Sequence, residues 1–235
     1  MTKTVAVLQS NYIPWKGYFD LISRADEFIL YDTAQYTKND WRNRNQIKTP
    51  LGPQWITIPV RTAGRFGQKI QDVEVTNSLW VEKHWKTLQL NYNSSPFFDL
   101  YKDRFEHLYQ EVANERLLSQ INYRFIQLIC DCLLIQTPLC RANDYSAIPG
   151  KNEKLIALLT DVGATHYISG PAARCYIDEM LFKEKGITVS YIDYNGYPPY
   201  PQLYGNFRHT VSVIDLLFNT GSDAIKYITH AKVPL

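Results

Sequence analysis

The sequence predicts an α/β fold: a parallel sheet in three layers, with a helical segment inserted in the middle. Three observations carry this. The run VAVLQ at residues 5–9 is apolar almost throughout, as strands covered on both faces are. It breaks at Asn11 and Pro14 and turns through Trp15, Lys16, Gly17 and Tyr18 into a helical pattern, so a strand–turn–helix unit opens the chain. In the second half, strand and helix patterns alternate, which is the signature of parallel strands joined by crossovers.

Residues 27–32 (EFILYD) form a second short apolar strand ending in Asp32, at the edge where α/β sheets place functional loops. Residues 41–48, 55–60 and 70–75 alternate or are β-rich, and the last two are joined by the basic, glycine-containing loop RTAGRFGQK. The two glycines and three cations of that loop suggest a flap that closes over an anion. From 78 to 135 helical spacing takes over, with breaks at NYNSSP (91–96) and at Ala113-Asn114, so three helices are expected. There follow a strand at 138–142, a helix at 152–162, a strand at 165–169, a helix at 171–185 closed by Gly186, and a strand at 187–193. An irregular YNGYPPYPQLYGNF and a helix at 212–219 complete the pattern. The strands at 5–9, 27–32, 165–169 and 187–193 are expected as parallel neighbours in one sheet. One domain is expected, with parts at 1–77, 78–137 and 138–235.

With 235 residues, 45% hydrophobic and 20% charged, the composition is that of an ordinary globular protein. No stretch approaches the roughly 20 apolar residues of a membrane span. The start MTKT runs straight into a strand with no signal-peptide pattern, so a cytoplasmic location is expected. The formal charge of +2 is too small to imply a nucleic-acid coat or a membrane-surface protein by itself, and a nucleic-acid partner is not expected. The distribution is uneven: between 38 and 69, seven cations oppose Asp40 alone, 7 − 1 = +6, which leaves 2 − 6 = −4 elsewhere. The four cysteines lack a CxxC pair, and Cys130 and Cys132 lie in an apolar helical run as small hydrophobes, so reduced thiols are expected. His84, His107, His166, His209 and His230 are scattered without HxxxH or HExxH spacing, so no metal is implied, and no cofactor is named.

The first candidate site is the opening turn, where a helix start would offer unpaired N–H groups to an anion; Gln9, Asn11, Tyr12, Trp15, Gly17 and Tyr18 would form this seat. The second is WRNRNQ at 41–46. In an extended segment Arg42 and Arg44 share one face and can hold a diphosphate, while Trp41, Asn43 and Asn45 on the other suit a sugar or base. A charged edge strand facing solvent is the alternative. Asp32 and Asn43 are the candidate catalytic or orienting groups. A third element is YISGPAAR, where Ser169 can cap, Gly170 admits a ligand, Pro171 suits a first helical turn and Arg174 completes a second seat. The 17 tyrosines fit carbohydrate stacking, with core and tail packing as the alternative.

Through QSNYIPWKGYFDLI, NDWRNRNQIKTPLGPQWITIPV, GATHYISGPAARCYID and YGNFRHTVSVIDLLFNTG, the sequence resembles the WbqC-like family over nearly its whole length. That resemblance implies a role in bacterial surface-polysaccharide and O-antigen biosynthesis. In the order of its motifs the chain is also similar to the nucleotidylyltransferase and pantothenate-synthetase superfamily, which implies a nucleotidyltransferase-like, HUP-type core. Trp15-Lys16-Gly17-Tyr18 stands where that superfamily carries HxGH, and ISGPAAR stands at its late ISSTxxR-like position. Trp15 and Tyr18 cannot replace the phosphate-binding histidines, so the fold is implied and the ATP chemistry is not.

Two classes of function remain open. One is an enzyme that moves an acyl or aminoacyl group onto an amino sugar carried on a nucleotide or a lipid diphosphate. The other is a non-catalytic nucleotide-sugar-binding or scaffolding protein of the same pathway; RNA binding is a weaker third. The sequence leaves the oligomeric state open, a homo-oligomer included.

Overall fold

The computed structural model describes residues 2–145 and 150–228. Its centre is a five-stranded sheet of β1 (Thr4–Leu8), β2 (Glu27–Leu30), β5 (Leu139–Arg141), β6 (His166–Ser169) and β7 (Thr188–Tyr191), in the order β5-β2-β1-β6-β7 with every pair parallel. The four strands expected as parallel neighbours are therefore in one sheet. Along β1 the side chains alternate, Ala6 packing into one core and Val5 and Val7 into another, so both faces are covered. Helix α1 (Lys16–Ser23), helices α2 (Leu79–Tyr92), α3 (Phe98–Glu111) and α4 (Leu118–Cys132), and α7 (Val213–Thr220) contribute to the first core. Helices α5 (Lys151–Asp161) and α6 (Glu179–Glu184) cover the opposite face through Leu155, Leu159 and Phe182. This is a three-layer α/β arrangement.

The three middle helices form as the spacing predicts, and they receive α7 between them. Phe218 meets Phe98 and Phe105 with ring centroids 5.1 and 5.5 Å apart. Strands β3 (Arg44–Thr49) and β4 (Gly52–Thr57) pair antiparallel as a separate hairpin. The sheet's first connection carries α1, and its second carries the hairpin and the three helices. Arg44 begins β3, so Arg42 and Asn43 lie in the turn before the strand.

Two expected elements differ. Residues 70–75 do not form a strand: Ile70–Asp72 is a single 3₁₀ turn, because the buried residues are Ile70 and Val73, a spacing of three. The helix expected over 171–185 is split into a 3₁₀ segment, Pro171–Cys175, and α6. Asp178 caps α6 by accepting from the Met180 N–H at 3.1 Å, an N-terminal signal that competes with continuation from the alanines.

The tyrosine-rich segment after β7 folds back over α1. Trp15 meets the rings of Tyr194 and Tyr197 at 5.0 and 6.0 Å, and lies so close to Gly17 that a Cβ there would stand 2.3 Å from the indole. Lys16 is buried beneath this cover. Its ammonium lies 5.1 Å from the centroids of both Tyr197 and Tyr200 and 5.8 Å from that of Phe207, and donates to the Pro198 carbonyl at 3.2 Å. Tyr200 in turn donates to Asp215 at 2.8 Å, joined there by Tyr92 and Gln202.

Burial lowers the Lys16 pKa to about 8. Between that value and the unfolded lysine range near 10.4, the unfolded chain binds more protons, so the Lys16 contribution to stability rises with pH. It is fully present above the unfolded value and is lost as pH falls through about 8. Replacing Lys16 by Met is therefore expected to flatten stability between about pH 8 and 9.5 relative to the parent, measured by urea unfolding. Parallel stability curves for the two proteins in that window would contradict the account.

Candidate functional site

Where β1 ends, the chain enters a buried polar junction. Ser10, fully buried, donates its N–H to Asp32 Oδ1 at 2.8 Å, fixing the end of β2 beside the end of β1. Asn122 of α4 donates to Ser10 Oγ at 3.1 Å and to the Arg42 carbonyl at 2.9 Å. The Arg42 guanidinium donates to Gln9 Oε1 at 3.1 Å and to Asn11 Oδ1, and lies 3.5 Å from Asp40. Asn45 holds the carbonyls of Tyr12 and Ile13 at 3.2 and 2.9 Å, and Ser212 also donates to the Ile13 carbonyl, at 2.7 Å. Ile13 has φ of +37°, a strained value for a β-branched residue that these bonds hold in place.

Around this junction lies a cleft along the carboxyl edge of the sheet. Strand order reverses at β1, with β2 and β5 on one side and β6 and β7 on the other, and such a point is where open α/β sheets receive ligands. There a cavity of about 420 Å³ is lined by Gln9, Tyr31, Lys151, Lys154, Tyr167 and Tyr176 among others. Tyr31 and Lys154 also line a second cavity of about 180 Å³ with Thr33, Lys69, Gln71 and Asn143. Gln71 and Asn143 continue into a third of about 230 Å³, which Asp32, Asp72, Gln120 and Arg141 also line. Burial pushes the Asp32 carboxyl up, opposed by its bonds to Ser10 and by the charges of Arg42 and Arg141.

On the other side of Arg42 is a cavity of about 270 Å³ walled by Asn11, Pro14, Trp15, Trp41, Asn45 and Thr210. Gln9 faces the main cleft, Asn11 faces this indole-lined cavity, and Arg42 bonds to both, so it forms the partition between them. Among the described residues no group of three His, Cys, Asp or Glu side chains is placed to hold a metal ion.

The profile of the WbqC-like protein family matches residues 9–227. The chain belongs to that family. It is 47% identical over 230 residues to the uncharacterized protein Rv1507c of Mycobacterium tuberculosis, covering 98% of this chain and 99% of that one. No solved structure matches significantly. No helix among the described residues is long and apolar enough to cross a membrane.

In this WbqC-like chain the residues expected from sequence are dispersed among three environments. Gln9 and Asp32 line the cleft, and Asn11 and Trp15 line the indole cavity. Tyr12 and Tyr18 are core residues. The Tyr12 hydroxyl meets Tyr109 at 2.7 Å and His84 at 3.0 Å, and the Tyr18 hydroxyl donates to the Gln9 carbonyl at 3.1 Å. With Gly17 under Trp15, the start of α1 is covered by the protein's own aromatic tail. Asn43 is buried, accepting from Tyr36 at 3.0 Å and donating to the Ile58 carbonyl at 2.8 Å.

Arg44 and Arg42 take different partners. The Arg44 guanidinium stacks 4.3 Å from the centroid of Trp55 and donates to the Asn39 carbonyl, while Trp55 faces Trp41 at 5.2 Å. Ser169 accepts from the Tyr167 hydroxyl at 2.9 Å, Gly170 precedes the 3₁₀ segment, and the exposed Arg174 stacks 4.5 Å from the centroid of Tyr191. In the loop 61–69, Arg61 and Arg65 converge on Glu74 at 3.6 and 3.0 Å, and Lys69 is the basic residue that lines the cleft.

Sequence reading missed Tyr31, Lys151, Lys154, Arg141 and Tyr176. The signal available was the KNEK start of the helix expected at 152, where Lys151 and Lys154 stand three apart and share a helix face.

Replacing Arg42 by Ala removes the donor shared by Gln9 and Asn11, so stability should fall by about 1–3 kcal/mol. Replacing the stacked Arg44 by Ala should cost about 1 kcal/mol or less. Urea unfolding of both variants checks this; equal losses would contradict the partition.

Proposed function

We propose that this chain is an enzyme of bacterial surface-polysaccharide biosynthesis, O-antigen included. It modifies an amino sugar carried on a nucleotide or lipid diphosphate by transferring an acyl or aminoacyl group to its amine. The observation that carries the reading is the cleft at the point of strand reversal, where Tyr31, Tyr167 and Tyr176 stand with Lys151 and Lys154. Phenol rings supply flat faces for a base or sugar, and lysines supply point charges for phosphate. Among the described residues neither lysine is in an ion pair with a carboxylate, and the Lys154 ammonium rests 5.4 Å from the Tyr31 ring centroid. The polysaccharide role that the resemblance to the WbqC-like family implies points the same way.

In this reading the largest cavity takes the nucleotide or the lipid diphosphate, and the sugar extends toward Lys69, Gln71 and Asn143. Asp32, the buried carboxylate of the cleft, is the catalytic candidate; Asn43 acts through the backbone as a positioning residue. Arg42 positions Gln9 against the ligand. Arg44, Trp41 and the indole cavity offer a second carbohydrate surface, and Ser169, Gly170 and Arg174 support the β6 end of the cleft.

A binding or scaffolding role in the same pathway is the second reading. It is favoured by the opening turn, where Trp15, Lys16, Gly17 and Tyr18 are engaged in packing and present no cationic donor to an outside phosphate.

Thermal-shift screening against UDP-, dTDP- and GDP-linked sugars, followed by product analysis with acyl and aminoacyl donors, tests the proposal. Lys151→Ala and Lys154→Ala should each weaken the nucleotide sugar by about one to two decades while leaving the unliganded midpoint unchanged. Binding without product from any donor would favour the second reading, and affinity unaffected by either lysine would remove both.

A further inference from the structure

We propose that the Arg141 end of the cleft binds a small zwitterionic amino acid, its carboxylate on Arg141 and its ammonium facing Asp32 and Asp72. The inference rests on the cleft being a substrate site, and it concerns binding of the amino acid alone. The cavity in question, of about 230 Å³, is walled by Asp32, Asp72, Gln71, Gln120, Arg141 and Asn143.

The first argument is electrostatic. A guanidinium and two carboxylates line one half-open cavity, yet among the described residues Arg141 forms no ion pair with either acid. Each of the two inner charges is fixed by other partners. Arg141 lies against Tyr123, 4.3 Å from its ring centroid, and donates to Gln120 Oε1 at 2.8 Å. Asp32 is tied to the Ser10 N–H at 2.8 Å and is nine-tenths buried. Opposite charges that share a cavity without joining leave a place for a ligand that carries both signs in reverse, and the burial of Asp32 strengthens its contact.

Size narrows the class. A cavity of about 230 Å³ lies below the range of about 300–1,000 Å³ that accommodates drug-sized ligands, so neither a nucleotide nor a pantetheine thioester is enclosed there. Charge narrows it further. One guanidinium against two carboxylates disfavours a simple anion and an amino acid with an acidic side chain, leaving neutral amino acids as the preferred ligands.

Position relates this cavity to the rest of the cleft. Gln71 and Asn143 are shared with the neighbouring cavity proposed for the sugar, so the amino acid would lie beside the sugar across that pair of amides. The Gln71 backbone N–H donates to the Asp32 carbonyl at 2.9 Å, which holds this wall against the end of β2.

Isothermal titration of the full chain with each of the twenty proteinogenic amino acids, without nucleotide sugar, tests the proposal. At least one neutral amino acid is expected to bind, with aspartate and glutamate weakest. The methyl ester, the N-acetyl derivative and the α-hydroxy analogue of the best ligand should each bind about tenfold or more weakly, because each loses one charged contact. Arg141→Met should produce a similar loss, with Arg141→Lys retaining part of the affinity. Failure of all twenty to bind, or equal affinity for the ester or the hydroxy acid, overturns the assignment; if the Met variant does not fold, the ligand derivatives decide it. Amino-acid binding by a chain that binds no nucleotide sugar would keep this site and remove the sugar reading, whereas the converse would remove this site alone.

Discussion

The arrangement depends on how the chain leaves β1. Ser10 is fully buried there, and its polar groups are satisfied by Asp32 from the end of β2 and by Asn122 from α4. Asn122 also holds the carbonyl of Arg42, whose side chain bonds to Gln9 and Asn11 on either side of Ser10. Four segments distant in sequence are thereby fixed at one point by the need to satisfy buried polar groups. An apolar residue at Ser10 or Asn122 would fill similar space but leave partners without bonds, at a cost of about 1–3 kcal/mol for each orphaned group.

This junction determines what can be a site. It brings Asp32 to the cleft wall and sets Arg42 as a partition, so the cleft and the indole cavity lie on opposite sides of one guanidinium. The aromatic tail acts elsewhere, closing over the start of α1 and burying Lys16. The cations that line the cleft come from α5, from the loop before Ile70 and from the end of β5.

Much of the framework was legible in the sequence because burial on both faces leaves a direct mark. Val5, Ala6 and Val7 must all be apolar, as must Phe28, Ile29 and Leu30, and Ser212 before an apolar run announces α7. The candidate site was less legible. Trp15, Gly17 and Tyr18 look like a ligand seat locally, but Tyr18 turns back to the Gln9 carbonyl and a segment some 180 residues later covers Trp15, and no local pattern reveals that. Arg42 and Arg44 were assigned to one face by strand periodicity, which does not apply because the strand begins only at Arg44. Lys151 and Lys154 gain meaning only once the sheet order places their helix beside the reversal point.

The central claim is that the ligand site lies in the cleft at the carboxyl edge and not at the opening turn. A crystal structure of the chain with its best-binding nucleotide sugar tests this most directly. The account predicts diphosphate oxygens within hydrogen-bond reach, about 2.7–3.2 Å, of Lys151 or Lys154, with the aromatic tail still closed over Trp15 and Lys16. A diphosphate seated on the first turn of α1, with Tyr194 and Tyr197 displaced from Trp15, would contradict it.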